Sequence, residues 1–322
     1  ARRTYAKDIA FWQAVQYLFH TQWQALKEYA NSKHIQIIGD LPIYIALDSV
    51  DVWSSPQDFQ LDADLNPTEV AGCPPDGFSA TGQLWGNPLY DWDAMAQNGY
   101  AWWVRRIRHM CSIYDVVRID HFRGFAGYYA IPYGNKTAEG GRWRTGPGYA
   151  LFAAIKKKLG EPRIIAEDLG FLTDDVNALL RKCGYPGMKV LEFGFDSRDG
   201  GDYRPHGYPV NSIAYVGTHD NEPVNGWMET AAPEDVERAV RYLNLTKKEG
   251  YHWGMMRGIW ASAAELSIVQ AQDLLGLGHE ARMNTPSTLG GNWCWRAKRG
   301  AFNDRLAVKL HDLTELYGRL PE

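Results

Sequence analysis

Val116-Val117-Arg118-Ile119-Asp120, followed by His121-Phe122-Arg123-Gly124, is a short apolar run that ends on an acid. Five other runs share this form: Ile35 to Gly39 with Asp40 behind it, Ile164–Asp168, Lys189–Phe195, Ile213–Asp220 and Leu266–Asp273. Each is near-continuously apolar rather than alternating, which marks strands covered on both sheet faces. Helical patterns such as Tyr149–Leu159, Asp174–Cys183 and Pro233–Leu243 separate most of them. Residues 8–30 precede the first as an amphipathic helix, with Phe11, Val15, Leu18, Phe19, Trp23 and Leu26 at steps of three and four. A last helix, Asn303–Gly318, closes the chain. Strands alternating with helices imply parallel strands and an α/β fold.

Six such strands suit either a doubly wound sheet or a (β/α)8 TIM barrel. The acids separate the two. Asp40, Asp120, Glu167, Asp220 and Asp273 all fall at the C-terminal ends of apolar runs, where an acid is costly unless paired or functional. In (β/α)8 barrels those positions form the active-site rim. A doubly wound fold would more often carry a glycine-rich phosphate loop after its first strand, and neither GxGxxG nor GxxxxGK[ST] occurs. The expected fold is therefore a barrel. Residues 46–100 are too long for a plain βα loop and are rich in Pro, Gly, Asp and Trp, so they read as an inserted, mostly irregular subdomain over the barrel mouth.

Composition narrows the partners. With 34 Lys+Arg against 38 Asp+Glu, the net charge is −4, without the basic excess of a general nucleic-acid binder. No run approaches ~18 consecutive apolar residues, so no transmembrane helix is expected. The 13 Trp, 18 Tyr and 11 Phe beside 32 Gly suit a ligand with apolar C–H faces and many hydroxyls, such as a sugar, as well as a large core with many turns. Cys73, Cys111, Cys183 and Cys294 lack CxxC or zinc spacing, and the nine histidines form no HExxH. Metal and cofactor are both expected to be absent, and the thiols reduced in a cytoplasmic or plastid-like compartment.

Several motifs carry chemistry. In a strand, Arg118 and Asp120 point to one side, so the guanidinium can hold the carboxylate ionised and oriented. That suits a nucleophile, and also an ordinary structural ion pair. Glu167 in Ile164–Gly170 follows an apolar run beside other carboxylates, the setting that raises a general acid toward neutral pH. Gly217-Thr218-His219-Asp220-Asn221 adds a third acid and an imidazole. A nucleophilic carboxylate, an acid/base carboxyl and a third charge are the machinery of retaining glycosidases. The loop Pro74–Tyr90 interleaves aromatics, amides and glycines, as either a lid that stacks on sugar rings or a self-packed loop. Lys156-Lys157-Lys158 is a solvated helix face.

GDLPIYI (39–45), PPDGFSATGQLWGNPLYDW (74–92), RIDHFRG (118–124), AEDLG (166–170), GTHDN (217–221) and ARMNTPSTLGGNWCWR (281–296) together resemble the amylomaltases. These are the 4-α-glucanotransferases of glycoside hydrolase family 77, called disproportionating enzymes in plants. The resemblance runs from about Asp8 to Leu320. It implies retaining transfer of α-1,4-glucan segments between maltodextrins on a (β/α)8 barrel, with no cofactor, nucleic acid, membrane or obligate protein partner. It implies Asp120 as nucleophile, Glu167 as acid/base and Asp220 as transition-state stabiliser. Arg118, His219, Asp40 and Tyr44 match sugar-contacting or orienting positions, Gln83, Trp85 and Asn87 a substrate-covering loop, and Asn284 and Pro286 a motif lining the same cleft. Gly77 departs from the larger residue of some members. Family members carry about two further strands before this chain begins, so residues 1–322 are expected to form a single catalytic domain, N-terminally incomplete, holding strands three to eight. The rival readings are an α-glucan hydrolase and an inactive glucan-binding fragment.

Overall fold

The computed structural model describes residues 2–75, 79–170, 172–198, 203–286 and 288–321. Gly77, with its departure from the family loop, lies outside them. The chain divides into two compact units, Ala1–Tyr185 and Pro186–Glu322.

In the first unit the strands are β1 (Ile38–Leu41), β2 (Glu69–Cys73), β3 (Gln83–Pro88), β4 (Val116–Ile119), β5 (Gly127–Pro132), β6 (Arg142–Thr145) and β7 (Ile164–Ala166). β1, β4 and β7 lie side by side and parallel. Their register sets Asp40 opposite Arg118, Leu41 opposite Ile119, and Ile119 opposite Ala166. The ladder continues one step further, since the Asp120 N–H donates to Leu41 O and the Glu167 N–H to Ile119 O. Asp40, Arg118, Asp120 and Glu167 are thereby gathered at one strand edge, as expected from the acid-ended runs. Every residue of β4 and β7 is buried. Helix Ala101–Ile113 packs Trp102, Trp103, Val104 and Ile107 into the core, where Phe122, Phe125 and Phe152 also meet. From the same helix, Arg106 donates to Pro42 O at 2.8 Å and Ile43 O at 3.2 Å, fixing the turn after β1. Gly39 is obligatory in β1: a Cβ there would lie 2.0 Å from the Tyr114 ring.

Residues 46–100 are more regular than their composition suggests. They supply β2 and β3, and the antiparallel sheet in the order β3-β2-β5-β6 is completed by strands from beyond residue 100. Glu69, the first residue of the inner strand β2, is buried and accepts from Arg142 at 2.9 Å and Arg144 at 2.5 Å. The segment reads as mostly irregular from sequence because Pro and Gly interrupt its short strands and mask their alternation.

The expected helix at 8–30 forms as Ala6–Ser32, but none of its residues is fully buried. Phe11, Trp12, Leu18 and Phe19 are 55–62% exposed, while Trp23 docks by donating its indole N–H to Ile113 O. Periodicity reports which face is apolar and not what covers it.

The second unit contains β8 (Gly187–Val190), β9 (Ser212–Tyr215) and β10 (Leu266–Ile268), also parallel. Its core centres on helix Tyr251–Trp260, which buries Trp253, Met255, Met256 and Ile259. The sequence runs extend past the true strand ends in both units. Leu191–Phe195 is a 3₁₀ turn, and the run from Leu266 leaves the ladder at Ile268. Residues beyond a ladder can stay buried, so apolarity alone does not mark where pairing stops.

Candidate active site

In the first unit Arg118 is the hub. Its side chain is 10% exposed, and its guanidinium reaches Asp40 Oδ1 at 2.6 Å and Asp120 Oδ1 at 3.1 Å through different nitrogens. Burial alone would lower the Arg118 pKa, but the carboxylates of Asp40, Asp120 and Glu167 raise it, so the cation is fixed. Asp40 and Asp120 keep 47% and 42% of their side chains open to solvent.

Glu167 is buried, and its carboxylate accepts the backbone N–H of His121 and of Leu169, each at 2.7 Å. Burial first and the Asp120 charge second raise its pKa to about 7, against the opposing pull of Arg118 and the two N–H donors. His121 aims its amide at Glu167 from a left-handed backbone (φ 51°), unusual outside glycine. Burial and the Arg123 charge push its imidazole down to about 3, so it stays neutral. The Trp85 ring meets His121 edge-on at 4.9 Å, and Gln83 orients that indole by accepting its N–H at 3.1 Å. Tyr44 is buried behind Trp85, with ring centres 6.1 Å apart. Asn87 spends its amide N–H on Ile45 O, which leaves its carbonyl for other contacts.

In the second unit Asp220 follows β9 in a turn closed by Thr218, whose N–H and hydroxyl both donate to Asn221 Oδ1 at 2.9 Å. Asn284 donates its side-chain amide to Asp220 Oδ1 at 2.6 Å, and His219 Nε2 lies 3.5 Å from Asp220 Oδ2. Trp293 packs over His219 at 4.9 Å. Pro286 sits exposed on a turn. No role of their own follows from the sequence for Arg282, which lies inside the 281–296 motif, or for Glu222, which follows Gly217–Asn221 directly. An Arg two residues before Asn284 and a Glu two after Asp220 carry no distinctive signal alone.

Asp273 is not a rim acid. It lies fully buried in the helical turn Ala271–Leu274 and accepts the Val224 N–H at 2.7 Å. Its Oδ2 has no hydrogen-bond partner among the described residues, and burial raises its pKa to about 7. The folded chain therefore holds a proton that the unfolded chain releases near pH 4, and stability falls as pH rises from about 4 to 7. At ~1.4 kcal/mol per unit, the penalty above pH 7 is on the order of 4 kcal/mol. Asp273→Asn keeps the acceptor and removes the charge. Melting curves should show the variant more stable than wild type at pH 8 and similar at pH 4; a difference independent of pH would refute the buried proton. Among the described residues no group of three His, Cys, Asp or Glu is arranged to hold a metal ion.

The motifs carry a family signature along their whole length: a model of glycoside hydrolase family 77, described as 4-alpha-glucanotransferase, matches residues 1–302. The chain belongs to family 77. It is 52% identical over 315 residues to a 4-alpha-glucanotransferase of Clostridium butyricum, covering 97% of this chain and 65% of that one. A chloroplastic/amyloplastic 4-alpha-glucanotransferase of Arabidopsis thaliana is 47% identical across 95% of this chain and 54% of its own. The amylomaltase of Streptococcus agalactiae, solved with acarbose, superposes with a TM-score of 0.96 at 44% identity, over 99% of this chain and 65% of that one. This family 77 chain thus spans less than two thirds of the length of these relatives. Its parallel strands and intervening helices are those of the (β/α)8 barrel class, as the acid-ended strands predict.

Proposed function

We propose that this chain carries the catalytic centre of a 4-α-glucanotransferase, which moves α-1,4-glucan segments between maltodextrins with retention. The observation that carries the reading is the pairing at one strand edge of an open carboxylate anchored by Arg118 with a buried carboxyl whose pKa is about 7. In the first half-reaction Glu167 protonates the glycosidic oxygen while Asp120 attacks the anomeric carbon; the bond to the leaving chain breaks and a glucosyl ester forms. In the second, the Glu167 carboxylate takes the proton of an acceptor 4-hydroxyl, whose oxygen displaces Asp120. Asp220, with His219 beside it, is assigned the stabilisation of the oxocarbenium-like transition state. Asp40 and Asn87 are assigned contacts to sugar hydroxyls, Tyr44 a supporting place behind Trp85, and Asn284 and Pro286 a place along the glucan path. Trp85, oriented by Gln83 and packed on His121, is the natural stacking face of a cover formed by residues 46–100. The steps need no cofactor. No helix among the described residues is long and apolar enough to cross a membrane. By its likeness to the bacterial and the chloroplastic/amyloplastic relatives, we assign the enzyme to the cytoplasm, or to the plastid stroma for a plant chain.

Product analysis on maltotriose tests the reading. Glucose together with a ladder of longer dextrins is expected, because a positioned acceptor outcompetes water. Reducing ends that rise without longer products would make the enzyme a hydrolase instead.

A further inference from the structure

We propose that Arg282 is the positioning residue that sets Asp220 for the reaction, with Glu222 as its fixed counter-charge; this rests on the functional reading above. Arg282 divides three donor nitrogens among three partners. Nη2 donates to the backbone carbonyl of Asp220 at 2.7 Å, Nη1 to Glu222 Oε1 at 2.5 Å, and Nε to the backbone carbonyl of Asn284 at 2.9 Å. Asn284 then donates its side-chain amide to Asp220 Oδ1 at 2.6 Å and its backbone N–H to His219 O at 3.1 Å. One guanidinium therefore fixes both the main chain that carries Asp220 and the amide that orients its carboxylate.

Only arginine supplies this geometry. Its planar fork holds donors in fixed directions, whereas a lysine ammonium is a single point at the end of a flexible stem. Glu222 anchors the fork. Its side chain is 12% exposed, and His279 Nδ1 also reaches its oxygens at 3.0 and 3.1 Å. Gly226 lets it sit there, since a Cβ at 226 would lie 2.8 Å from Glu222 Oε2. Without Arg282 the Asp220 carbonyl and the Glu222 carboxylate both lose a charge-assisted partner, and the Asn284 amide loses its support. Asp220 itself remains 44% open, so its orientation rests on these contacts rather than on burial.

A residue that acts through Asp220 has a distinctive signature in a double-mutant cycle on transfer from maltotriose in the full chain. Arg282→Lys is expected to lower kcat by ~10–100-fold with KM changed far less, because the loss falls on the transition state. In an Asp220→Asn background the same substitution should cost no more than ~3-fold, since the group it positions is already disabled. Glu222→Gln should give a smaller loss with the same non-additivity, and serves if Arg282→Lys does not fold. Losses that multiply in full would assign Arg282 a general structural role and overturn the proposal. A wild-type chain that makes no dextrin ladder would instead refute the functional reading, which the cycle's reference rate detects separately.

Discussion

Asp120→Asn should abolish transfer from maltotriose, with a loss of ~10⁴-fold or more, the scale seen when a covalent nucleophile is removed. The amide is nearly isosteric and can still face Arg118, so the fold should survive and the melting temperature move little. What disappears is the atom to which the proposed mechanism assigns formation of the ester. A second consequence follows from charge. Asp120 is one of the causes that raise the Glu167 pKa, and its loss leaves the opposing Arg118 cation less compensated. Glu167 in the variant should therefore titrate below its wild-type value of about 7, moving the alkaline limb of any residual activity to lower pH. Asp120→Gly supplies the complementary result. With α-maltosyl fluoride and azide, the small anion should enter from the face the carboxylate left, giving the β-azide. Retained maltotriose turnover in Asp120→Asn, or an α-configured azide, would remove Asp120 from the nucleophile position.

Much of this centre was legible in the sequence because a strand alternates faces. Arg118 and Asp120 had to share a side, and parallel pairing had to bring the acids that end neighbouring runs to one edge; β1, β4 and β7 do so. The same rule over-reached at Asp273, where the run outlasts the strand and the acid is buried in a helical turn. Apolarity measures burial and is silent on pairing. The backbone donors on Glu167 were invisible, because they depend on His121 entering a left-handed conformation that its residue type does not dictate. Arg282 was hidden for a related reason. Its partners are largely main-chain carbonyls, which every sequence possesses, so only the folded loop shows that three of its nitrogens are committed. The sheet completed by β5 and β6 shows the limit for long insertions, where a strand's partner lies outside the segment being read.

Glu167→Gln should separate substrates by how much their leaving groups need a proton. With maltotriose the departing oxygen is an alkoxide unless protonated, and the variant should lose ~10²–10⁴-fold in kcat/KM, the usual range for general acid catalysis. With α-maltosyl fluoride the leaving anion is already stable, so formation of the glucosyl ester should slow by ~10-fold or less. The pH profile carries the same information. With Glu167 as the proposed general acid, wild-type kcat/KM on maltotriose should fall tenfold per unit above the pKa of about 7, while the variant on the fluoride should show no limb there. Stability adds an opposed pair of effects. The raised pKa penalises the folded state progressively from about pH 4.5 to 7, and removing the charge relieves that penalty. Yet the carboxylate accepts two backbone N–H groups on two oxygens, and glutamine offers only one oxygen, so its NH₂ must oppose either His121 or Leu169. The relief should therefore be partly offset, and the melting temperature of Glu167→Gln at pH 8 should rise less than that of a buried acid with a single donor, Asp273→Asn. Equal losses on maltotriose and on the fluoride would show that Glu167 does not deliver the proton.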